Sequence, residues 1–285
     1  MVRGSHPKNL PANIAFRQLD ICSEGALNQL FEDHPGIEGV INFAAESHVD
    51  HSLADDSRFW ATNVIGPRNL AKFALRKKIR LAHVSTDEVY GSSDGKAAFT
   101  EEDKLNPRNP YAASKAAAEL LLRSYREAYG LDVVITRGSN TLGPRQSLDK
   151  LVPKAIFHFL KGRPFPLFRT PARRMWLGVE DHCRAVMAAF KKGESGEAYN
   201  VSPNESHELE TAQVVEQIRS LLGRGDIQLV DDRLAYDLRY RISSDKIRNR
   251  LNWLPREDFR ELLCETVRWY LGNFDWIEGH PDLRT

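Results

Sequence analysis

The sequence predicts an α/β fold built on a doubly wound parallel sheet, and three observations carry that prediction. Short apolar, β-branched runs stand at 39–45 (GVINFAA), 80–86 (RLAHVST) and 131–139 (LDVVITRGS), as expected of strands covered on both faces. Between them, 58–78 and 109–130 carry apolar residues at helical spacing. The resulting order of strand, helix, strand, helix, strand is that of parallel strands joined by crossovers.

Each element has a local reason. The 58–78 stretch (RFWATNVIGPRNLAKFALRKK) reads as one amphipathic helix, and 109–130 opens at Asn109-Pro110, runs through Ala, Leu, Glu and Arg, and stops at Gly130. After about residue 145 the texture changes. Pro153, Pro164, Pro166 and Pro171 punctuate shorter elements, and ETAQVVEQIRSLLG and REDFRELLCETVRWYLGNF read as separate amphipathic helices. The expected division is 1–145 for the sheet with the reactive residues and 146–285 for a smaller α+β substrate-binding cap, with the chain free to cross between them.

Bulk properties narrow the function. A chain of 285 residues with 41% hydrophobic content buries a full core. Its 40 Lys and Arg nearly cancel its 39 Asp and Glu, so no net field argues for nucleic acid or an anionic membrane as partner. Cys22, Cys183 and Cys264 are odd in number and lack metal-ligand spacing, which favours reduced thiols, a cytoplasmic setting and no metal site. No apolar run is long enough to span a bilayer, and no export signal pattern is present.

The chemistry gathers where such sheets place it, at the carboxyl ends of strands. In STDEVYG (85–91), Asp87 and Glu88 follow the 80–86 strand directly. Alone, such acids also describe a strand-end turn or a helix cap. In YAASK, Tyr111 and Lys115 are four apart and share one helix face. A tyrosine is a poor base near pH 7, and a neighbouring ammonium favours its ionised form. Spacing alone equally describes a solvated face. Together the four residues supply an acid, a base and a proton acceptor for a hydroxyl, which is what elimination of water requires.

The segments FAAESHVDHS, TNVIGPRNL, HVSTDEVYGS, NPYAASKAAAELLLRSY, ITRGSNTLGPRQ, KLVPKAI, VEDHCRAV, GEAYNV and RWYLGNFDW occur in that order from Asp20 onward. In that order they resemble the nucleotide-sugar 4,6-dehydratases of the extended short-chain dehydrogenase/reductase superfamily, and among these most resemble the dTDP-glucose 4,6-dehydratases. The resemblance implies a Rossmann-like fold, NAD as cofactor, a nucleotide sugar as substrate, a deoxysugar product and a homodimer. Helices 58–78 and 111–129 would pair across its two-fold axis. The Asp-Glu pair distinguishes the chain from sibling epimerases, which usually carry small or hydroxyl residues there, and from decarboxylases, which keep only the Glu.

Roles follow residue by residue from the resemblance. Tyr111, helped by Lys115, would deprotonate the sugar 4-hydroxyl while hydride passes from C4 to NAD; Glu88 would take the C5 proton; Asp87 would protonate the departing 6-hydroxyl; and hydride would return to C6. Thr86 would hydrogen-bond near the 4-oxygen. Ser47 and Asn140 would touch the glucosyl diphosphate, Lys150 and Leu151 the nucleotide, and Arg174 and Arg233 the diphosphate charge. Asp20 and Ile21 would lie at the adenine, Phe43, Ala44 and Ala45 beside the dinucleotide, and Thr62 on the next helix of the cofactor side.

The chain departs from the family pattern at its start. MVRGSHPKNLPANIAFRQLDIC enters where relatives have already passed a strand, a glycine-rich turn and a helix, a unit of roughly 30 to 40 residues. MVRGSH itself reads as a leader or displaced start. The expectation is a Rossmann-like sheet truncated at its N-terminal side. Its gap would be filled by another chain, closed by rearrangement, or supplied by a longer enzyme. A homologue that binds nucleotide sugar or a partner chain without NAD, and a sibling epimerase or decarboxylase, are the alternative functions. Leu142, the RTPAR stretch, Met175, Gly178 and the run Leu234, Ala235, Tyr236 replace residues usual in the family's substrate region.

Overall fold

A parallel four-stranded sheet organises the chain, in a computed structural model that describes residues 9–93, 95, 97–256 and 258–278. The MVRGSH leader reading and Lys8 of the KNL stretch lie outside the described residues. An extended segment reaches Ile21 and leads into α1 (Glu24–Asp33), whose N-cap Ser23 accepts the Ala26 amide at 3.3 Å. Then come β1 (Gly39–Asn42), the short α2 (Val49–Ala54) and α3 (Ser57–Trp60), and α4 (Gly66–Lys77). Next are β2 (Arg80–Thr86), the 3₁₀ turn Asp87–Tyr90, α5 (Pro110–Tyr129) and β3 (Val133–Gly138).

The second half alternates smaller elements: β4 (Asn140–Leu142), α6 (Leu151–Leu160), β5 (Phe165–Phe168), β6 (Arg173–Gly178) and α7 (Val179–Lys192). They are followed by β7 (Ala198–Val201), β8 (Glu208–Glu210), α8 (Thr211–Leu222), β9 (Ile227–Val230), α9 (Asp245–Leu251), α10 (Phe259–Gly272) and α11 (Phe274–Glu278).

The main sheet has the order β1-β2-β3-β7, all parallel, with Gly39 opposite Arg80 and Leu81 opposite Val133. It is covered on both faces, as the apolar runs predict. Leu27, Phe31, Leu70, Phe73 and Leu122 pack on Leu81 and Val133 from one side. Ala185, Ala189, Ile247 and Trp253 pack on Ala82, Val134 and Tyr199 from the other. β7 and α7 come from beyond residue 146, so the chain returns to the first sheet after building part of the second layer. A three-stranded sheet β4-β6-β8 and the pair β5-β9 carry the remainder around a separate core of α6, α8 and α10. Among the described strands β1 pairs only with β2 and forms one edge of the sheet.

Two sequence expectations need correction. The stretch 58–78 is not one regular helix: α3 and α4 are separated by a π-type turn, Ala61–Ile65, in which the Gly66 amide reaches back five residues to the Ala61 carbonyl. Pro67 has no amide to offer and its ring crowds the preceding turn, so the backbone widens there. The strand expected to reach Ala45 ends at Asn42, whose side chain accepts the Ala44 amide at 3.1 Å and curls the chain off the sheet.

Candidate active site

The end of β2 and the start of α5 meet above the sheet and bring the acid pair to the tyrosine. Thr86 is extended and caps the 3₁₀ turn: its Oγ1 accepts the Glu88 amide at 3.3 Å and donates to Asp87 Oδ1 at 3.2 Å. Asp87 is 3% exposed, and its Oδ2 is buried without a hydrogen-bond partner. Burial first, then the Glu88 charge, push the Asp87 carboxyl up to about 7, while Arg174 and the Thr86 hydroxyl oppose them.

α5 is started by a side chain that also serves the site. Asn109 Oδ1 accepts the Ala112 amide at 2.8 Å as N-cap, with Pro110 in the first turn, while its Nδ2 donates to Glu88 Oε2 at 3.1 Å. One residue therefore ties the helix carrying Tyr111 and Lys115 to the carboxylate pair. Tyr111 is buried edge-on to Phe59 at 6.4 Å and packs beside Val49. Its amide donates to Ser52 Oγ at 3.2 Å. Burial, and next the Glu88 charge, raise the Tyr111 phenol above the usual tyrosine range, opposed by a hydrogen bond with Thr86.

Lys115 lies on the same helix face, but its ammonium bonds elsewhere than to the tyrosine hydroxyl. Nζ donates to the Val84 carbonyl at 2.6 Å and lies 3.4 Å from His83 Nε2. The opposite ring nitrogen of His83 meets Asn42 Nδ2 at 3.2 Å. Burial lowers Lys115 to about 8, and burial followed by the Lys115 charge holds His83 well below the usual histidine value. One turn further along α5, Glu119 forms a fully buried ion pair with Arg137, with Nη2 to Oε2 at 2.6 Å. Arg137 also donates to the Tyr90 hydroxyl, which in turn donates to Asn200 Oδ1 at 2.8 Å. This network locks α5, the 3₁₀ turn, β3 and β7 together under the site.

The other sequence-selected residues fall into three places. Ser47 and Lys150 come together, the lysine donating to the Ser47 carbonyl at 3.0 Å and to its hydroxyl at 3.3 Å, with Leu151 next along at the start of α6. Arg233 pairs with Asp50 of α2 at 2.8 Å, and the Asn140 side-chain oxygen, Oδ1, is buried without a partner at the start of β4. Arg174 stands apart from these. It is 6% exposed, donates to the Arg173 carbonyl at 2.8 Å and the Asp237 carbonyl at 2.7 Å, and covers the Tyr240 ring at 4.4 Å. It sits beside the Asp87 charge, where its positive field bears on the acid pair.

On the β1 side, Phe43 is 54% exposed, and Ala44 and Ala45 follow it off the sheet. Asn63 is fully buried and clamps Glu46 through its amide and its carbonyl, at 2.9 Å each. Asp20 is exposed and accepts the Cys22 amide, Ile21 packs on Gly66, and Thr62 lies in the π-type turn next to the Cys22 thiol.

Several residues of the site escaped sequence reasoning. Tyr240 donates to Asp237 Oδ2 at 2.6 Å and meets Glu88 Oε2 at 3.2 Å, and Asp237 pairs with Arg108 at 3.0 Å. His83 and Asn42 complete the surroundings of Lys115. These reach the site by tertiary packing, whereas Asn109, which also serves it, has a local sign, an Asn-Pro step opening a helix.

Comparison with known proteins places this geometry. The GDP-mannose 4,6 dehydratase family profile matches residues 2–266. The dTDP-glucose 4,6-dehydratase of Actinoplanes sp. is 40% identical over 266 residues, covering 92% of this chain and 81% of its own. The low-salt glycan biosynthesis protein Agl12 of Haloferax volcanii is 41% identical over 266 residues, covering 92% and 83%. The crystal structure of DesIV, a dTDP-glucose 4,6-dehydratase of Streptomyces venezuelae with NAD bound, superposes with a TM-score of 0.86 at 39% identity over 90% of this chain and 79% of that one. Matched over nearly its full described length by family and by fold, the chain belongs to the GDP-mannose 4,6 dehydratase family, the nucleotide-sugar 4,6-dehydratases.

Proposed function

We propose that the chain dehydrates a nucleoside-diphosphate glucose, dTDP-glucose in the first instance, to the 4-keto-6-deoxy sugar with NAD as cofactor. The observation that carries this reading is the buried Asp87, poised near neutrality with a free Oδ2, beside a Glu88 held by hydrogen bonds and facing Tyr111. An acid that keeps its proton near pH 7 next to a carboxylate suits loss of hydroxide from one carbon and a proton from its neighbour.

The residues present fit the cofactor on one side. Tyr111 and Lys115 on α5, the turn Phe43, Ala44, Ala45 leaving β1, Thr62, and Asp20 with Ile21 would hold its nicotinamide, ribose and adenine portions. No G-x-x-G-x-x-G stretch occurs in the sequence, so the pyrophosphate has no assigned backbone donors here. Bound NAD supplies reversible hydride acceptance.

The protein's own residues do the rest. Tyr111 accepts the 4-hydroxyl proton. Its phenol is neutral in the substrate-free site, so this transfer requires the site to become less negative, and a charged Lys115 acts in that direction. Glu88 takes the C5 proton, which the adjacent ketone acidifies, and Asp87 delivers its proton to the departing 6-hydroxyl. Thr86 bonds near the 4-oxygen. Ser47 and Asn140 would meet the glucosyl diphosphate, Lys150 and Leu151 the nucleotide, and Arg233 and Arg174 the diphosphate charge, with Arg174 also lowering the Asp87 carboxyl. Residues 1–145 would carry mainly cofactor and catalysis, and 146–285 mainly the nucleotide sugar.

A homodimer in the cytoplasm completes the proposal. The exposed apolar side chains of Trp60, Ile65 and Leu120 on or beside α4 and α5 support pairing of these helices across a two-fold axis. No helix among the described residues is long and apolar enough to cross a membrane. The test is NMR detection of a 4-keto product from dTDP-glucose and NAD, together with calorimetric titration of NAD. Product that disappears in Glu88→Gln supports the reading; no product and no NAD binding refute it.

A further inference from the structure

Glu88 has a second buried carboxylate behind it, reached through a single phenol. Tyr240 is 2% and Asp237 1% exposed, and the tyrosine oxygen contacts both Asp237 Oδ2, at 2.6 Å, and Glu88 Oε2, at 3.2 Å. A phenol has one proton to donate and otherwise only lone pairs. With both carboxylates ionised the phenolic proton belongs to Asp237 over the shorter contact, and the half-buried Glu88 keeps the Asn109 amide on the same Oε2. Once Glu88 has taken a proton, it can donate to Tyr240 while Tyr240 donates to Asp237 over the shorter contact. At the far end, Asp237 Oδ1 pairs with Arg108 at 3.0 Å, and the Arg108 side chain is 53% exposed.

We propose that Tyr240 and Asp237 form a proton relay behind Glu88, carrying the proton that Glu88 takes from substrate carbon out to Arg108 and solvent. The inference rests on the reading of Glu88 as the base. The step balances without any co-reactant. The Glu88 proton moves to the Tyr240 oxygen as the phenolic proton moves to Asp237 Oδ2. Glu88 is left ionised, Tyr240 neutral and Asp237 protonated. The neutral Asp237 then loosens its hold on Arg108, whose exposed side chain swings out and lets the proton pass to water.

The surroundings favour a phenol that stays neutral throughout. Burial, and next the Glu88 charge, raise the Tyr240 phenol far above its usual range, so it passes protons without becoming an anion. The other polar groups facing Glu88 and Tyr240 are Asp87 on the same turn, Asn109 and Tyr111 on α5, and Arg174 over the ring; Glu88 itself is half-buried, and among these groups none continues to a second carboxylate as Tyr240 does. Tyr240 acts through Glu88, so it is a positioning residue.

Two measurements test the relay. Infrared spectra of the whole chain around neutral pH, compared with Glu88→Gln, identify the carboxylate stretching bands of Glu88. Tyr240→Phe keeps the ring under Arg174 and is expected to shift those bands; bands that stay in place overturn the proposal. In heavy water, turnover of dTDP-glucose by Tyr240→Phe is expected to lower deuterium at product C5 roughly tenfold or more. Asp237→Asn does the same while keeping the phenol. Unchanged labelling in both variants overturns the relay. Absence of turnover in wild type as well refutes the reaction assigned above, while the infrared measurement still decides the Glu88–Tyr240 contact.

Discussion

Replacing Asp87 by Asn tests the central electrostatic claim without removing an atom from the packing. Asn keeps the shape and the Oδ1 contact with Thr86, and removes the titration. A carboxyl whose folded pKa lies above its unfolded value binds its proton more tightly in the folded chain. Its contribution to stability is fully present below pH 3.8 and is withdrawn as pH rises through about 7. The gap of roughly three pH units, at about 1.4 kcal/mol each, amounts to ~4 kcal/mol. In urea unfolding, the stability of D87N minus that of wild type is therefore expected to rise by ~4 kcal/mol between about pH 4 and pH 8. A difference that stays flat or falls with pH would refute the reasoning, because Asp87 would then be solvated or paired rather than buried and crowded by Glu88. In the proposed reaction the same variant removes the acid for the 6-hydroxyl, and turnover is expected to drop about 10²- to 10⁴-fold.

Other substitutions probe the supports. Asn109→Ala removes the α5 cap and the hand on Glu88 together: a stability loss of ~1 kcal/mol in urea unfolding is expected, with a fall in turnover larger than that loss explains. Glu119→Ala leaves the Arg137 guanidinium buried and unpaired, and about 3–5 kcal/mol should be lost, much of it regained in the Glu119→Ala/Arg137→Met double variant; an additive pair of losses would count against the network. Leu120→Glu places a charge on the face assigned to the two-fold contact, so sedimentation should show a dimer for wild type and a monomer for the variant; a monomeric wild type removes the dimer.

Much of the fold was legible in the sequence because its causes are local. Runs such as VVIT and RLAHV are apolar and β-branched over a strand's length whatever lies around them, and Asn109-Pro110 with Gly130 brackets a helix by capping chemistry alone. Asp87 and Glu88 were conspicuous because two acids closing a buried strand have a desolvation cost that demands a reason. The break at Ala61–Ile65 was also local in cause, since Pro67 announces it, but the apolar spacing on either side reads through it.

What packing decided is the environment that turns those residues into a site. Tyr240 meets Glu88 across 152 positions and Asn200 meets Tyr90 across 110. Lys115 spends its ammonium on Val84 and His83, although its spacing points only to Tyr111. Arg174 lies buried with its guanidinium over the Tyr240 ring, a placement no local pattern announces. Periodicity and capping are properties of a segment and its own backbone, so the sequence by itself determined the elements and the identity of the acid pair. Burial and long-range hydrogen bonds arise only when segments close on one another, so only the tertiary structure decided which proton each of those groups holds.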